Sequence, residues 1–337
     1  MNKNTFRAVV IEKNTTGAFS QSIKQKKIVD LPLNDLLIKV SYSSLNYKDA
    51  LSFSGNRGVS KNYPHTPGID AVGIVKKSSV SQFNVGEKVI VSGYDLGMNT
   101  AGGFGEYIRV PKEWVCRLPK GLQSLESMIL GTAGLTAGLC INMIIKKNDI
   151  SGKKVVVSGA TGGVGTIAIK LLNMMGADVT AITSSIDSKE YLMMIGANEV
   201  VSVSEFLDST KKPLSKSTWS FAIDVVGGSI LSALIVSMKY GGIIACCGNV
   251  SNPNFDANVY PFILRANQLV GIDSAETSIN KKSKIWKLFG SDWKLNDLES
   301  LHKTVLIDEL FPEVEKMLEG EQIGRIVLKH GKVNEIN

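Results

Sequence analysis

The chain has 337 residues, 44% of them hydrophobic and 20% charged, which fits a packed globular protein and excludes a disordered one. It has 32 Gly and 9 Pro with no repeating triplet, which excludes a collagen-like fold, and about 150 residues per domain suggests two domains. The 38 basic and 31 acidic residues leave a formal charge of +7, spread along the chain rather than blocked, so nucleic-acid binding has weak support.

The opening Met1-Asn2-Lys3-Asn4-Thr5-Phe6-Arg7 lacks the apolar stretch of a signal peptide, and no run approaches the roughly 20 apolar residues that cross a bilayer. Cys116 and Cys140 stand alone, while Cys246 and Cys247 are adjacent and would face opposite sides of a strand. No disulfide framework is implied, and a cytoplasmic location is expected.

Residues 1–125 read as β-rich. Phe6–Ile11, Leu36–Val40, Gly73–Val75, Lys88–Val91 and Tyr107–Val110 are short apolar or alternating runs between Gly, Asn, Asp and Pro. Their spacing predicts a barrel-like, mostly antiparallel domain, with Asn46–Phe53 as a helical stretch. Leu125–Ile145 reads as a helix broken at Gly131 and Gly134. Strands and helices then alternate. Val155–Ser158 is an apolar strand, and Gly163–Met175 carries apolar residues at helical spacing up to the stop at Gly176. Val179–Thr183 is a strand and Ser188–Ile195 a helix stopped by Gly196, and Phe221–Val225, Ile230–Met238 and Ile243–Cys247 continue the pattern. Such alternation predicts a parallel sheet covered on both faces, with right-handed crossovers. Glu309–Glu319 reads as a helix and Arg325–Lys329 as a closing strand. The expected class is α/β: a β-barrel domain from residues 1–125 and 265–337, and a doubly wound dinucleotide-binding domain over 126–264.

The strongest chemical motif follows the strand at residue 155: Ser158-Gly159-Ala160-Thr161-Gly162-Gly163-Val164-Gly165. Glycines at 159, 162 and 165 lie between an apolar strand and a helix start. A tight turn there brings backbone N–H groups and a helix N-terminus to a pyrophosphate, and glycine removes the Cβ that would block the approach. Gly159, Thr161, Gly162, Gly163, Val164 and Gly165 are therefore expected to bind a dinucleotide. NAD sites usually place an acid at the end of the second strand to hold the ribose 2′-hydroxyl. Here that strand ends Ile182-Thr183-Ser184-Ser185, with Lys189 nearby. Small hydroxyls and a cation suit a 2′-phosphate, so NADPH is the expected cofactor, held by Ser184, Ser185 and Lys189.

Over nearly its whole length the chain resembles the medium-chain dehydrogenase/reductase superfamily. The resemblance rests on Gly68, Gly73, Gly102-Gly103-Phe104-Gly105-Glu106-Tyr107, Gly131-Thr132-Ala133-Gly134-Leu135-Thr136-Ala137 and the glycine turn. It implies a GroES-like barrel plus a Rossmann domain. Zinc-dependent members place their catalytic ligands at positions that here are Asn46, Ile69 and Thr132, none a usual zinc donor, and the closely spaced cysteines of a structural zinc lobe are missing. No metal is expected, the alternative being an unusual site built on Asp49 and Asp70. Without a metal to polarise an isolated carbonyl, a conjugated C=C or a quinone is the easier hydride acceptor, because the resulting enolate needs only hydrogen-bond donors and a proton.

Longer runs narrow the resemblance. Ser44-Leu45-Asn46-Tyr47-Lys48-Asp49-Ala50-Leu51, Pro67-Gly68-Ile69-Asp70, Pro261-Phe262-Ile263-Leu264-Arg265 and Leu269-Val270-Gly271-Ile272-Asp273-Ser274 look like the zinc-independent acryloyl-CoA reductase/quinone oxidoreductase branch. That branch implies NADPH-dependent reduction of acryloyl-CoA or similar activated alkenes. Its members often carry Arg near Ser185, where only Lys189 remains here. In the stretch where zinc relatives hold their metal, Tyr47 is expected to donate a hydrogen bond or proton to the enolate. Asn46 is expected to orient substrate or ribose, or to cap the following helix, and Asp49 to form a structural ion pair. Thr132 and Thr136 are candidates for the cofactor phosphate or ribose. Gly248 and Asn249 lie where doubly wound sheets bind ligands. Arg265 is a candidate contact to cofactor or CoA phosphate, Asp273 and Ser274 for the nicotinamide pocket, and Lys48, Arg57 and Lys61 for attracting an acidic substrate. A homodimer is implied by the resemblance. Enoyl-CoA reduction, quinone reduction, and an NADPH-binding regulatory or RNA-binding role are the competing readings, the last lacking a dense Arg/Lys stripe or an aromatic RNA platform.

Overall fold

The computed structural model describes residues 4–331. The chain divides into two compact units, Met1–Thr132 with Ser274–Asn337, and Ala133–Asp273. The division falls at Thr132 and Asp273, later than the limits 125 and 264 read from composition. The outermost ends of the expected first domain, 1–3 and 332–337, lie outside the described residues.

In the first unit, β1 (Thr5–Lys13) and β2 (Phe19–Lys27) form an antiparallel ribbon in full register from Thr5↔Lys27 to Lys13↔Phe19. The strands β3 (Leu36–Leu45), β4 (Asp70–Ser78), β5 (Lys88–Ser92), β6 (Tyr107–Val110) and β7 (Val115–Arg117) follow, with α1 (Tyr47–Phe53) between β3 and β4. Alternate residues turn inward, as period-2 patterning requires: Leu36, Ile38 and Val40 of β3 meet Val89 and Val91 of β5, Ile108 and Val110 of β6, and Val115 of β7. β2 was not read as a strand because Ser20-Gln21-Ser22 and Lys24-Gln25-Lys26-Lys27 are polar. Its partner β1 supplies the buried side chains.

α2 (Ser124–Ile145) has a non-helical residue at Gly131, with φ 51° and ψ −157°, while Gly134 is no break. At 22 residues and a mean hydropathy of 1.8, α2 is long and apolar enough to span a bilayer, contrary to the reading of the sequence. In the fold 72% of that apolar window is buried inside the protein, as expected of a core helix.

The second unit holds β8 (Lys154–Val157), α3 (Gly163–Met174), β9 (Asp178–Thr183), α4 (Lys189–Met194), β10 (Glu199–Ser202), α5 (Val203–Ser209), β11 (Trp219–Asp224), α6 (Gly228–Ser237), β12 (Met238–Cys246), α7 (Tyr260–Arg265) and β13 (Gln268–Gly271). Its six strands run in the order β10-β9-β8-β11-β12-β13, and every pairing is parallel. Val155, Val156 and Val157 of β8 are fully buried, consistent with a strand covered on both faces. The order reverses between β8 and β11, a topological switch point whose carboxyl edge is where such sheets bind ligands.

After β13 the chain returns to the first unit through α8 (Ile279–Phe289), β14 (His302–Val305), α9 (Leu310–Glu319) and β15 (Arg325–Lys329). β15 pairs antiparallel with β3, Ile326 opposite Leu45, and parallel with the edge strand β14, so it lies inside the sheet beside the start of α1.

Candidate active site

In the first unit β3 ends at Leu45 and α1 begins at Tyr47, so Asn46 is the N-cap residue, with φ −126° and ψ 159°. The Asp49 carboxylate accepts the Asn46 backbone N–H (2.9 Å) through Oδ2, and the Gly68 (3.1 Å) and Ile69 (2.8 Å) N–H groups through Oδ1. Asp70, the first residue of β4, accepts from Thr132 N (2.8 Å), Thr132 Oγ1 (2.8 Å) and Asn46 Nδ2 (2.9 Å). Arg325, the first residue of β15, donates to Asn46 Oδ1 (3.1 Å) and to the carbonyls of Ile129 (3.0 Å) and Leu45 (3.3 Å). Asp49 and Asp70 are fully buried and Arg325 nearly so. Isolated buried charges would be prohibitive, and here each is hydrogen-bonded and faces an opposite charge. Burial pushes the Asp49 carboxyl up to about 7 with help from Asp70, against the pull of its N–H donors. Burial also lowers the Arg325 guanidinium, which the two carboxylates raise again.

This network includes Asn46 and Thr132 and borders Ile69, the three positions where a zinc ligand would be expected. Asn46 is held by its amide, Ile69 is buried hydrocarbon, and Thr132 gives its hydroxyl proton to Asp70. The positive charge among the carboxylates is the guanidinium of Arg325. These residues do not fit a zinc ion. Among the described residues no group of three or more His, Cys, Asp or Glu is placed to hold a metal. Sequence reasoning missed Arg325 as a site residue. Its only trace is an Arg opening the otherwise apolar run Ile326-Val327-Leu328.

The network also engages two residues expected to contact ligand. Both N–H groups of the Asn46 amide meet protein acceptors, Asp70 on one side and Asp49 or Ser44 O at 3.3 Å on the other, and its oxygen takes Arg325. Asn46 is therefore a positioning residue rather than a contact to substrate or ribose. Thr132 donates both its backbone N–H and its hydroxyl to Asp70. Tyr47, the first residue of α1, is 39% exposed, and its hydroxyl has no hydrogen-bond partner among the described residues.

In the second unit the glycine turn leaves β8 at Ser158. Gly159 has φ 59°, and a Cβ on Gly165 would lie 2.3 Å from the Gly159 carbonyl oxygen. Only glycine allows α3 to start this close to the turn. The first N–H groups of α3 lack intrahelical partners, and Thr161, Gly162, Gly163 and Val164 are partly exposed beside them. This cradle fits a dinucleotide pyrophosphate. A buried acid that sequence reasoning overlooked braces it. Asp224, at the carboxyl end of β11, accepts from Ser158 Oγ (2.6 Å), Gly227 N (3.0 Å) and Val226 N (3.3 Å). Burial raises its pKa against these bonds. Its only sign in the sequence is an acid closing the apolar run Phe221-Ala222-Ile223.

Ser184, Ser185 and Lys189 are exposed just beyond β9, Gly248 and Asn249 follow β12, and exposed Asp273 follows β13, all on the carboxyl edge that carries the glycine turn. Thr136 is buried in α2, and Ser274 is partly buried beyond β13. Arg265 is a correction. Its guanidinium donates to the carbonyls of Val236 (2.9 Å), Met238 (3.1 Å) and Ser215 (2.7 Å), at the amino end of β12. It clamps backbone at the sheet edge opposite the glycine turn.

An alcohol dehydrogenase GroES-like domain model matches residues 32–120, and a zinc-binding dehydrogenase model matches residues 163–290. The chain is 39% identical over 327 residues to the putative quinone oxidoreductase YhfP of Bacillus subtilis, spanning 96% of this chain and 98% of that protein. It is 33% identical over 325 residues to the acrylyl-CoA reductase AcuI of Ruegeria pomeroyi, again spanning 96% and 98%. Its fold matches the crystal structure of the Bacillus subtilis protein yhfP with NAD bound at a TM-score of 0.93, with 38% identity and 97% and 100% of the two chains covered. It matches the yhdH oxidoreductase of Salmonella enterica in complex with NADP at 0.92, with 34% identity and 96% and 100% covered.

Proposed function

The chain belongs to the medium-chain dehydrogenase/reductase family, in the branch of the acrylyl-CoA reductases and YhfP-type quinone oxidoreductases, and from that premise we propose that this oxidoreductase uses NADPH to reduce conjugated C=C bonds, best those of small enoyl-CoA thioesters, without a metal ion. The observation that carries the metal-free reading is the Asn46–Asp70–Arg325 network, where a guanidinium rather than a metal balances the buried carboxylates. Bound NADPH supplies the hydride. The glycine turn and the first turn of α3 hold the pyrophosphate, and Ser184, Ser185 and Lys189 hold the 2′-phosphate. Gly248, Asn249, Thr136, Asp273 and Ser274 complete the expected cofactor contacts.

The residues of the first unit divide the remaining work. Arg325 and Asp70 grip the Asn46 amide from both sides, which sets the start of α1 and with it Tyr47. The Tyr47 hydroxyl, with no hydrogen-bond partner among the described residues, is offered to the enolate oxygen as hydrogen-bond donor and then as proton source. The relative named as a quinone oxidoreductase supports quinones as a second acceptor class, with the same electronic demand.

Two coarser features complete the reading. Four free thiols, two of them adjacent, suit a reducing compartment such as the cytoplasm. β13 is an edge strand, and exposed Tyr240, Ile263 and Leu264 lie on the segments that flank it in sequence and pairing, which favours a homodimer formed over that edge. The deciding experiment is NADPH oxidation with acryloyl-CoA, crotonyl-CoA, benzoquinone, simple enones and aldehydes, on protein treated with chelator. The highest kcat/KM on an enoyl-CoA, unaffected by chelation, is expected. Loss of activity on chelation, or aldehydes as the best substrates, would refute the reading.

A further inference from the structure

Resting on the enoyl-CoA reading above, we infer that Arg57 and Lys61 form a recognition site for the phosphates of coenzyme A. Both belong to the loop that leaves α1. Residues 50–69 contain no Asp or Glu, and neither cation takes part in an ion pair among the described residues.

The loop is held in shape by its own bonds. Asn56 N donates to Leu51 O (3.0 Å), Val59 N and Ser60 N to Asn56 O (3.0 and 3.1 Å), and Gly58 N to Asn56 Oδ1 (2.9 Å). Ser52 and Ser60 share a hydroxyl contact of 2.7 Å, and Tyr63 caps the Ser52 carbonyl at 2.9 Å. Val59 and Ser60 are buried, while Arg57 and Lys61 on either side of them are exposed. The backbone is thus anchored between two cations that face water. On the loop whose Asn99 Oδ1 takes Lys61 N (3.2 Å), Asp95 is engaged by neutral donors, Asn99 Nδ2 (2.8 Å) and Thr100 Oγ1 (2.8 Å).

Cations held on an ordered loop bind anions with less ordering entropy to lose than cations on a mobile one. Arg reads a phosphate in a forked geometry and Lys as a point charge. α1 carries the chain about 10 Å from Tyr47 at 1.5 Å per residue. The loop therefore displays its charges away from the proposed proton donor, as the pantetheine arm between thioester and phosphates demands. A quinone has no phosphate, so this loop raises affinity for acyl-CoA alone and sets the choice between the two acceptor classes.

Titrating coenzyme A by calorimetry into the NADPH-loaded enzyme tests this apart from turnover, since NADPH then fills its own site. The expected result is binding that weakens with salt and weakens at least about tenfold in Arg57→Ala/Lys61→Ala, the scale of one or two lost charge-assisted hydrogen bonds. The Kd of NADPH checks that the variant is folded. Unchanged coenzyme A affinity in that variant, or affinity indifferent to salt, overturns the inference. Turnover of acryloyl-CoA against acryloyl-N-acetylcysteamine, which keeps the reacting group and lacks the phosphates, is measured alongside. Wild-type enzyme that reduces both thioesters equally well also overturns it. Reduction of neither thioester, with a quinone reduced, sinks the enoyl reading instead, while the coenzyme A Kd still decides the loop.

Discussion

Tyr47 and Asn46 are neighbours in sequence and opposite in role. The Asn46 amide is bonded on every side, whereas the Tyr47 hydroxyl has no partner among the described residues. Tyr47→Phe is expected to lower kcat/KM for enoyl-CoA by 10²–10⁴-fold, the usual contribution of general acid catalysis, with little change in the Kd of NADPH. A loss within about twofold in steady-state assays would remove the hydroxyl from the mechanism. Lys189→Ala is expected to raise the Kd of NADPH and leave that of NADH nearly unchanged. Arg325→Met would strip the cation from two buried carboxylates, and urea denaturation should show a loss of about 3–5 kcal/mol. The pH dependence follows from buried titratable groups. The rings of His65 and His330 bond to Gly97 O (2.8 Å) and Gly103 O (2.7 Å), and burial holds both below the usual 6.5. The unfolded chain therefore binds protons more readily. The stability these rings contribute is complete above pH 6.5 and is lost as pH falls below it toward the folded pKa. Asp49 acts in the opposite sense. Raised to about 7 from 3.8, it favours the fold at low pH and loses that contribution as pH rises through 7. Urea midpoints at pH 7 and 5.5 should fall less for His330→Gln than for the parent chain.

At the scale of elements, Gly165 and Gly131 do different work. A Cβ on Gly165 would meet the Gly159 carbonyl, so Gly165→Ala must push α3 away from the turn. Fluorescence titration should show NADPH affinity down by about tenfold or more, with far-UV circular dichroism unchanged. Gly131 has φ 51°, and a Cβ there would lie 2.5 Å from Ser44 Oγ and 2.8 Å from both Arg325 Nη2 and Asp70 Oδ2. The break in α2 thus brings Thr132 N to Asp70, a function no local pattern announces. Elements with their own periodicity were legible: β1, β4 to β6, α3, β9 and β15 lie within a residue or a few of their expected limits, and β3 runs five residues past its expected end. β2, β10, α5 and β14 were not, because their sequences are polar or short and pairing or packing forms them. The glycine turn was legible because its residues are contiguous. The Asp70–Arg325 network was not, because Asn46, Asp70, Thr132 and Arg325 are separated by up to 279 residues.

At the scale of the whole molecule, strand–helix alternation was enough to expect a parallel sheet, but the order β10-β9-β8-β11-β12-β13 is a tertiary fact. The parallel pairing of β12 with β13 places Arg265 at the amino edge and Gly248 at the carboxyl edge, although only 17 residues separate them. A homodimer should elute at about twice the chain mass of 36.4 kDa by light scattering, and a charge at Ile263 or Leu264 should shift it toward monomer. By itself, the sequence determined the two-domain α/β plan and the glycine turn between strand and helix, since each depends on residue types at short, regular spacing. Only the tertiary structure decided that an arginine near the end of the chain stands among the buried carboxylates, and that Asn46 is held in place while Tyr47 is left open. Compensation of a buried charge depends on distance in space, which spacing along the chain does not record.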